Sequence, residues 1–175
     1  MLDLLILRHG ETTWNREGRL QGGRDAPLTP RGRVQAARQG AALRRIGGTR
    51  PVLCSPQGRA RATAALAGLH PRIARDLHEI TLGDWEGRTL AEIAPPPGLD
   101  WKFDAPGGEG RAAFLRRIDA ILAACPPRAI LVTHGVVASG LRGRLAGWPP
   151  EEWHRVNDLQ GVVYHVTRDG ERMLP

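Results

Sequence analysis

The chain has 175 residues, 41% of them hydrophobic and 25% charged, a balance that suits a globular domain and excludes a disordered tail, a collagen-like chain or a disulfide-stapled miniprotein. Lys plus Arg is 25 against 18 Asp plus Glu, a formal net charge of +7, and every basic residue except Lys102 is an arginine. The charge raises nucleic acid as a partner, but the arginines are scattered from Arg8 to Arg172 with no run longer than a pair, and only 5% of residues are aromatic, which is poor for base stacking.

Leu2 to Leu7 is an apolar run broken only by Asp3 and reads as a buried strand. Glycines and Pro27 mark a loop from Gly18 to Leu28. Thr29 before Pro30 is a helix start, with Thr as N-cap and Pro at the first helical position, and the Ala- and Arg-rich helix Pro30 to Ile46 stops at Gly47-Gly48. Val52 to Cys54 is a second strand. Ser55 and Pro56 again read as a cap and first helical residue, opening a helix to about Leu69. Arg72 to Leu77 fits a third strand and Thr89 to Ala94 a short helix, which Pro95-Pro96-Pro97-Gly98 breaks; the chain is then loop-like to Gly110. Arg111 to Ala124 is a helix with Phe114, Leu115, Ile118 and Leu122 on one face, ended by Pro126-Pro127. Ala129 to Thr133 is a strand, Val136 to Ala146 a helix and Val162 to Thr167 a last, edge strand. Alternating strands and helices predict one α/β domain with a largely parallel sheet. Cys54 and Cys125 lie far apart without metal-ligand spacing and read as buried free thiols. No apolar run is long enough to span a membrane, and the N-terminus lacks the pattern of a signal peptide, so a cytoplasmic protein without a membrane partner is expected.

Leu5-Ile6-Leu7-Arg8-His9-Gly10 and Ile130-Leu131-Val132-Thr133-His134-Gly135 share one shape: an apolar strand, a polar residue, then His-Gly. In an open α/β sheet, ligands bind at the carboxyl ends of the strands, so both histidines are expected on one rim. Either alone reads as a satisfied loop residue; the pair with one context points to a site. Zinc would want a third protein ligand, which neither cysteine is placed to supply, and Arg8 disfavours a cation; no metal is expected. Arginine beside histidine suits an anion, above all phosphate, and histidine can attack phosphorus.

Leu7-Arg8-His9-Gly10-Glu11-Thr12 resembles the signature of the histidine phosphatase superfamily, which holds the cofactor-dependent phosphoglycerate mutases and many small phosphatases. The likeness continues in order through Asn15, Gly18 to Gly22, Leu28-Thr29, Gly32, Gln35-Ala36, Ser55-Pro56, Arg59-Ala60, Thr63-Ala64, Leu77-His78-Glu79, Gly83, Trp85-Glu86-Gly87, Pro106 to Glu109 and Thr133-His134-Gly135. The resemblance implies a phosphoglycerate mutase-like three-layer α/β sandwich over residues 1–175. It implies His9 as nucleophile, Arg8, Arg59 and His134 as the phosphate pocket, and Glu79 as the acid that protonates the leaving oxygen and then activates water. Asn15, Gln21 and Gly22 would lie near the bound phosphate or substrate. His9 must be neutral to attack, so its other ring nitrogen should donate to a fixed acceptor such as a backbone carbonyl. Glu79 must carry a proton for part of the cycle, which burial or a neighbouring negative charge favours.

The mutases of this family resemble longer chains with a basic insertion after the general acid. Here that connection is short, and Leu99 to Ala105 offers only Lys102 as a cation. A small, open site admits water, so the expectation is a metal-independent phosphatase acting on a small phosphomonoester without a cofactor, resembling the α-ribazole-5′-phosphate branch; a cofactor-dependent mutase is the alternative. The partner expected is a small phosphorylated metabolite, with a homodimer left open. A non-catalytic phosphate-binding module is argued against by the intact site residues. Trp14, Trp85 and Trp101 are candidates to wall the pocket, with core packing the preferred reading for at least two. Gly110 stands where the family often has a hydroxyl residue and is a weaker helix cap, which leaves the role of Glu109 open.

Overall fold

The structure is a computed structural model that describes residues 2–98 and 100–175; Leu99, which opens the connection expected to carry Lys102, lies outside the described residues. Six strands, β1 (Asp3–Arg8), β2 (Val52–Cys54), β3 (Arg72–Ile73), β4 (Arg128–Thr133), β5 (Val163–Thr167) and β6 (Gly170–Leu174), form one sheet in the order β3-β2-β4-β1-β5-β6. β1, β2, β3 and β4 pair in parallel, whereas β5 runs antiparallel to β1 and β6. Leu4 to Leu7 of β1 are all buried, because helices cover both faces of a central strand. Their alternation divides the core. Leu4 and Ile6, with Leu131, pack under the helices α5 (Arg111–Ala124) and α6 (Gly135–Leu145). Leu5 and Leu7, with Val132, pack under α2 (Pro30–Ile46) and α3 (Gly58–Leu66). The fold is therefore the expected three-layer α/β sandwich with a mostly parallel sheet. Cys54 and Cys125 are free and buried, and burial pushes the Cys54 thiol up to about 12, which keeps it protonated and inert.

Helix α2 has the predicted bounds. Thr29 Oγ1 accepts from Gly32 N at 3.0 Å, Pro30 is the first helical residue, and Gly47 closes the end. Helix α5 also has its predicted bounds, and Gly110 caps it without a side-chain bond. Glu109 is engaged elsewhere. It takes both ends of the Arg117 guanidinium at 2.7 and 2.5 Å, and Arg117 also donates to Asp76 O and His78 O, so the pair clamps α5 to the stretch leading into Glu79.

Four expectations are corrected. Ser55 and Pro56 do not start α3: Ser55 N donates to Val132 O and prolongs the β2–β4 pairing, and the carboxylate of Asp25 receives Gly58 N and Arg59 N at the helix start. The strand predicted over Arg72–Leu77 stops at Ile73, and Arg75–Leu77 forms a 3₁₀ turn that drives Leu77 into the core. Val163–Thr167 is interior, because a hairpin at Gly170 adds the exposed edge strand β6. A 3₁₀ segment at Asp100–Asp104 lies in the stretch read as loop-like, and the chain also forms a one-turn helix α1 (Thr13–Arg16) between β1 and the loop at Gly18–Leu28. Thr89 does cap a short helix α4 (Leu90–Ile93). Among the described residues no helix is long and apolar enough to cross a membrane.

Candidate active site

β1 and β4 are adjacent and parallel, so the residues that follow them emerge side by side. His9 N donates to Thr133 O at 3.0 Å, and the His9 and His134 rings lie 5.2 Å apart, both buried. Gly10 is required here, since a Cβ would stand 2.2 Å from the Gly32 carbonyl where β1 passes under the start of α2.

His9 Nδ1 lies 2.8 Å from Gly10 O, a pure acceptor, so Nδ1 carries the hydrogen and Nε2 keeps its lone pair. The acceptor anticipated for His9 is thus its neighbour's carbonyl. Arg59 Nε, 3.2 Å away, donates to His9 Nε2. Burial, then the Arg59 and Arg8 guanidinium groups, holds His9 well below the usual histidine range, so the ring is neutral near pH 7. Arg59 itself is buried and held at each nitrogen: Nη1 donates to Arg24 O and Asp25 Oδ1, and Nη2 to Gly22 O, which leaves one Nη2 hydrogen without a protein acceptor. Burial lowers its pKa, against the pull of the Glu79 and Asp25 carboxylates.

Arg8 Nη1 donates to the backbone and carboxylate of Asp158 at 2.9 and 2.6 Å. His134 Nε2 lies 2.7 Å from Ser55 Oγ, and burial followed by Arg59 and His9 holds it well below the usual histidine range. Glu79 is anchored by its N–H to Gln57 Oε1; its Oε1 accepts from Ile80 N and its Oε2 from Val136 N in the first turn of α6. Asn15 Oδ1 accepts from Thr12 and from Gln160 Nε2, which also donates to His9 O. The turn at Gln21 and Gly22 is strapped to Glu86 through Gly23 N, and a Cβ on Gly22, at φ +50°, would meet that carboxylate at 2.3 Å.

Arg8, His9, Asn15, Gln21, Gly22, Arg59 and Glu79 line one cavity of about 100 Å³, with His134 directly behind His9. All the site residues expected from sequence are therefore brought together. A larger cavity, about 740 Å³, lies on the outer face of α2 and contains neither histidine nor Glu79. Ser55, Gln57, Asp158 and Gln160 were not foreseen as supports. Their contacts cross 22 to 151 residues of sequence, and only the polar character of Gln57 and Gln160 hinted at them. Trp85 and Trp101 stack at 5.8 Å in and against the core, and Trp14 packs beside Gly87; none of the three lines the cavity.

Among the described residues, Arg8 Nε, Gln21 Oε1, His134 Nδ1 and Asp158 Oδ1 are buried polar atoms of this site without a protein partner. Such groups normally find one, and here two of them flank a cavity whose cations outnumber its carboxylates. The cations that line the cavity are Arg8, Arg19, Arg59 and Lys102. The arrangement sets a neutral histidine between two arginines at the strand-end rim of an α/β sheet.

The comparisons agree. The model of the histidine phosphatase superfamily (branch 1) matches residues 4–174, and the chain belongs to that superfamily. It is 32% identical over 167 residues to GpmB of Salmonella paratyphi C, described as a probable phosphoglycerate mutase, covering 85% of this chain and 77% of that one. Among solved structures it resembles the product of open reading frame Rv3214 of Mycobacterium tuberculosis, with TM-score 0.86 and 30% identity over 99% of this chain and 96% of that one. It also resembles a candidate alpha-ribazole-5'-P phosphatase of Escherichia coli, with TM-score 0.81 and 29% identity over 98% and 94%.

Proposed function

We propose that the protein is a phosphatase that hydrolyses a small phosphomonoester through a phosphohistidine on His9. The observation that carries this is the neutral His9, its Nδ1 fixed on Gly10 O and its Nε2 facing the cavity between two arginines. In the first step His9 Nε2 forms the bond to phosphorus as the bond to the ester oxygen breaks, and Glu79 delivers a proton to that oxygen. In the second, Glu79 takes a proton from water, the water oxygen bonds to phosphorus, and the P–N bond breaks, returning His9 neutral. Arg8, Arg59 and His134 stabilise the charge on the transferring group, which is most of what phosphoryl transfer asks of a protein. Asn15 Oδ1 is occupied by its protein donors, so its amide N–H groups are the part available to a phosphate oxygen.

Water as acceptor is supported by the short connection between Glu79 and Pro106. The mutase reading is favoured by the identity to GpmB. One screen separates them: phosphate release from small phosphomonoesters in the presence of a chelator, and conversion of 3-phosphoglycerate with and without 2,3-bisphosphoglycerate. Release of phosphate, lost by more than about a thousandfold in His9→Ala, is expected. Isomerisation of phosphoglycerate that outpaces its hydrolysis would favour the mutase, and unchanged hydrolysis in His9→Ala would remove the phosphohistidine.

A further inference from the structure

The cavity of about 740 Å³ on the outer face of α2 takes no part in the phosphate site. A second hollow of about 390 Å³ shares Ala42, Arg45 and Pro175 with it and extends it toward β6. Together they form a groove with one side of α2 as its wall. Arg31, Val34, Arg38, Ala41 and Arg45 recur at steps of three and four residues, so they lie on one helical face. The three arginines stand seven residues apart, about 10.5 Å along the axis, and span about 21 Å. Helix α2 has five arginines and no Asp or Glu in its 17 residues. Among the described residues Arg31 alone of the five meets a carboxylate, Glu11 at 3.7 Å, and no acidic residue lines either hollow. The amides of the groove are turned inward. Gln35 Oε1 accepts from Glu11 N at 2.8 Å, and Gln160 Nε2 donates to His9 O and Asn15 Oδ1, each at 3.1 Å. Gly161, at φ +85°, presses on Gln35 so closely that a Cβ would stand 2.9 Å from its Cγ. The groove is thus preformed, with an apolar shelf at Val162 and Pro175, and the charge it offers is guanidinium.

We propose that this groove is a docking site for an acidic amphipathic helix of a partner protein, with carboxylates at heptad spacing on Arg31, Arg38 and Arg45 and an apolar side on Val34, Ala41 and Val162. Charge and shape select that occupant. One small anion cannot meet three guanidinium groups spread over about 21 Å. A partner helix has the same rise per residue, so its own residues seven apart fall at the same interval, and the small Ala41 and Ala42 side chains let the two axes come close. A nucleic-acid strand would want aromatic surfaces to stack on, and no aromatic side chain lines the groove. A bilayer is flat, whereas Ala42 is buried at the floor of a concave surface. A second copy of this chain lacks the complement. Of α2, α3, α5 and α6, only α5 has an acidic residue, Asp119, and Arg144 holds it at 2.7 Å. The inference does not depend on what the phosphate site does.

The test is fluorescence anisotropy of a labelled three-heptad peptide, with leucine at a and d and glutamate at e and g, titrated with the full chain at about 0.15 M salt. It should bind about ten-fold or more tighter than the same peptide with glutamine in place of glutamate. Arg38→Glu and Arg45→Glu should each weaken binding by about ten-fold or more, and Val34→Asp should weaken it as well. Arg116→Glu, the same charge change on α5 outside the groove, should leave it within about two-fold. All four positions are exposed, so the substitutions leave the core untouched, and circular dichroism melting checks each fold. Equal affinity for the two peptides, no binding of either, or a loss in Arg116→Glu as large as in Arg38→Glu would overturn the proposal. Tighter binding of oligo(dT) or of phosphatidylglycerol vesicles, lost in the Arg38 and Arg45 variants, would overturn it too, because the occupant would then be a nucleic acid or a membrane. Failure of the phosphatase reading shows separately, as absence of phosphate release by the native protein.

Discussion

His9 and Arg59 on one hand and Lys102 on the other line one cavity but are held on opposite terms. On the rim, His9 and Arg59 are buried and held by several protein bonds each, most of them to backbone carbonyls that cannot turn away. Lys102 has no carboxylate partner among the described residues and rests 5.5 Å from the Trp101 ring, and Asp158, paired with Arg8, leaves one carboxylate oxygen unpartnered. A phosphoryl group is the same in every ester, so the groups around it can be locked in advance and the rate benefits from that preorganisation. The rest of a phosphomonoester varies, so groups that face it gain less from being locked in advance.

Three experiments would break or sharpen that contrast. The largest effect is expected at the rim. Arg59→Met removes the guanidinium between His9 and the phosphate and should cut kcat/KM by about a thousandfold, near 4 kcal/mol of transition-state stabilisation, measured with a small aryl phosphate. A loss below ten-fold would mean that the rim is not preorganised around Arg59.

The second concerns pH. His9 and His134 have folded pKa values below their unfolded value near 6.5, so below that pH the unfolded chain binds protons that the folded rim refuses. Stability should therefore be fully present above pH 6.5 and decline as pH falls from there toward the folded values, by up to about 1.4 kcal/mol per pH unit for each histidine. Urea unfolding between pH 8 and pH 5 should show this slope, reduced by half in His134→Gln. A flat stability across that range would contradict the buried neutral pair.

The smallest effect is expected at Ser55, which touches His134 and no part of the cavity lining. Ser55→Ala leaves His134 Nε2 without its partner and should lower kcat by about ten-fold, around 1.4 kcal/mol, with KM changed less. An equal fall for kcat and for binding of inorganic phosphate would place Ser55 in binding instead.

Much of this was readable along the chain. The bounds of α2 follow from Thr29, Pro30 and Gly47, and those of α5 from its apolar face and Pro126-Pro127; both are signals carried within one element. The paired His-Gly turns located the rim because parallel neighbours end on the same side of a sheet. Ser55 misled for a physical reason. Ser before Pro has the composition of a helix cap, but a hydroxyl can bond wherever the fold brings a partner, and here that partner is His134, 79 residues away.

What the sequence alone determined is most of the order of strands and helices, the two matching His-Gly turns with their arginine, and the membership that its ordered motifs announce. These depend on local periodicity, on capping and on residue type. The tertiary structure decided which carbonyl holds His9, which carboxylate holds Arg8, which hydroxyl meets His134, and that the chain's one lysine faces the cavity. It also placed β5 inside the sheet and tied Glu109 to Arg117. Those choices are contacts between residues far apart in sequence, set by how the layers pack, and no local pattern encodes the distance across which they meet.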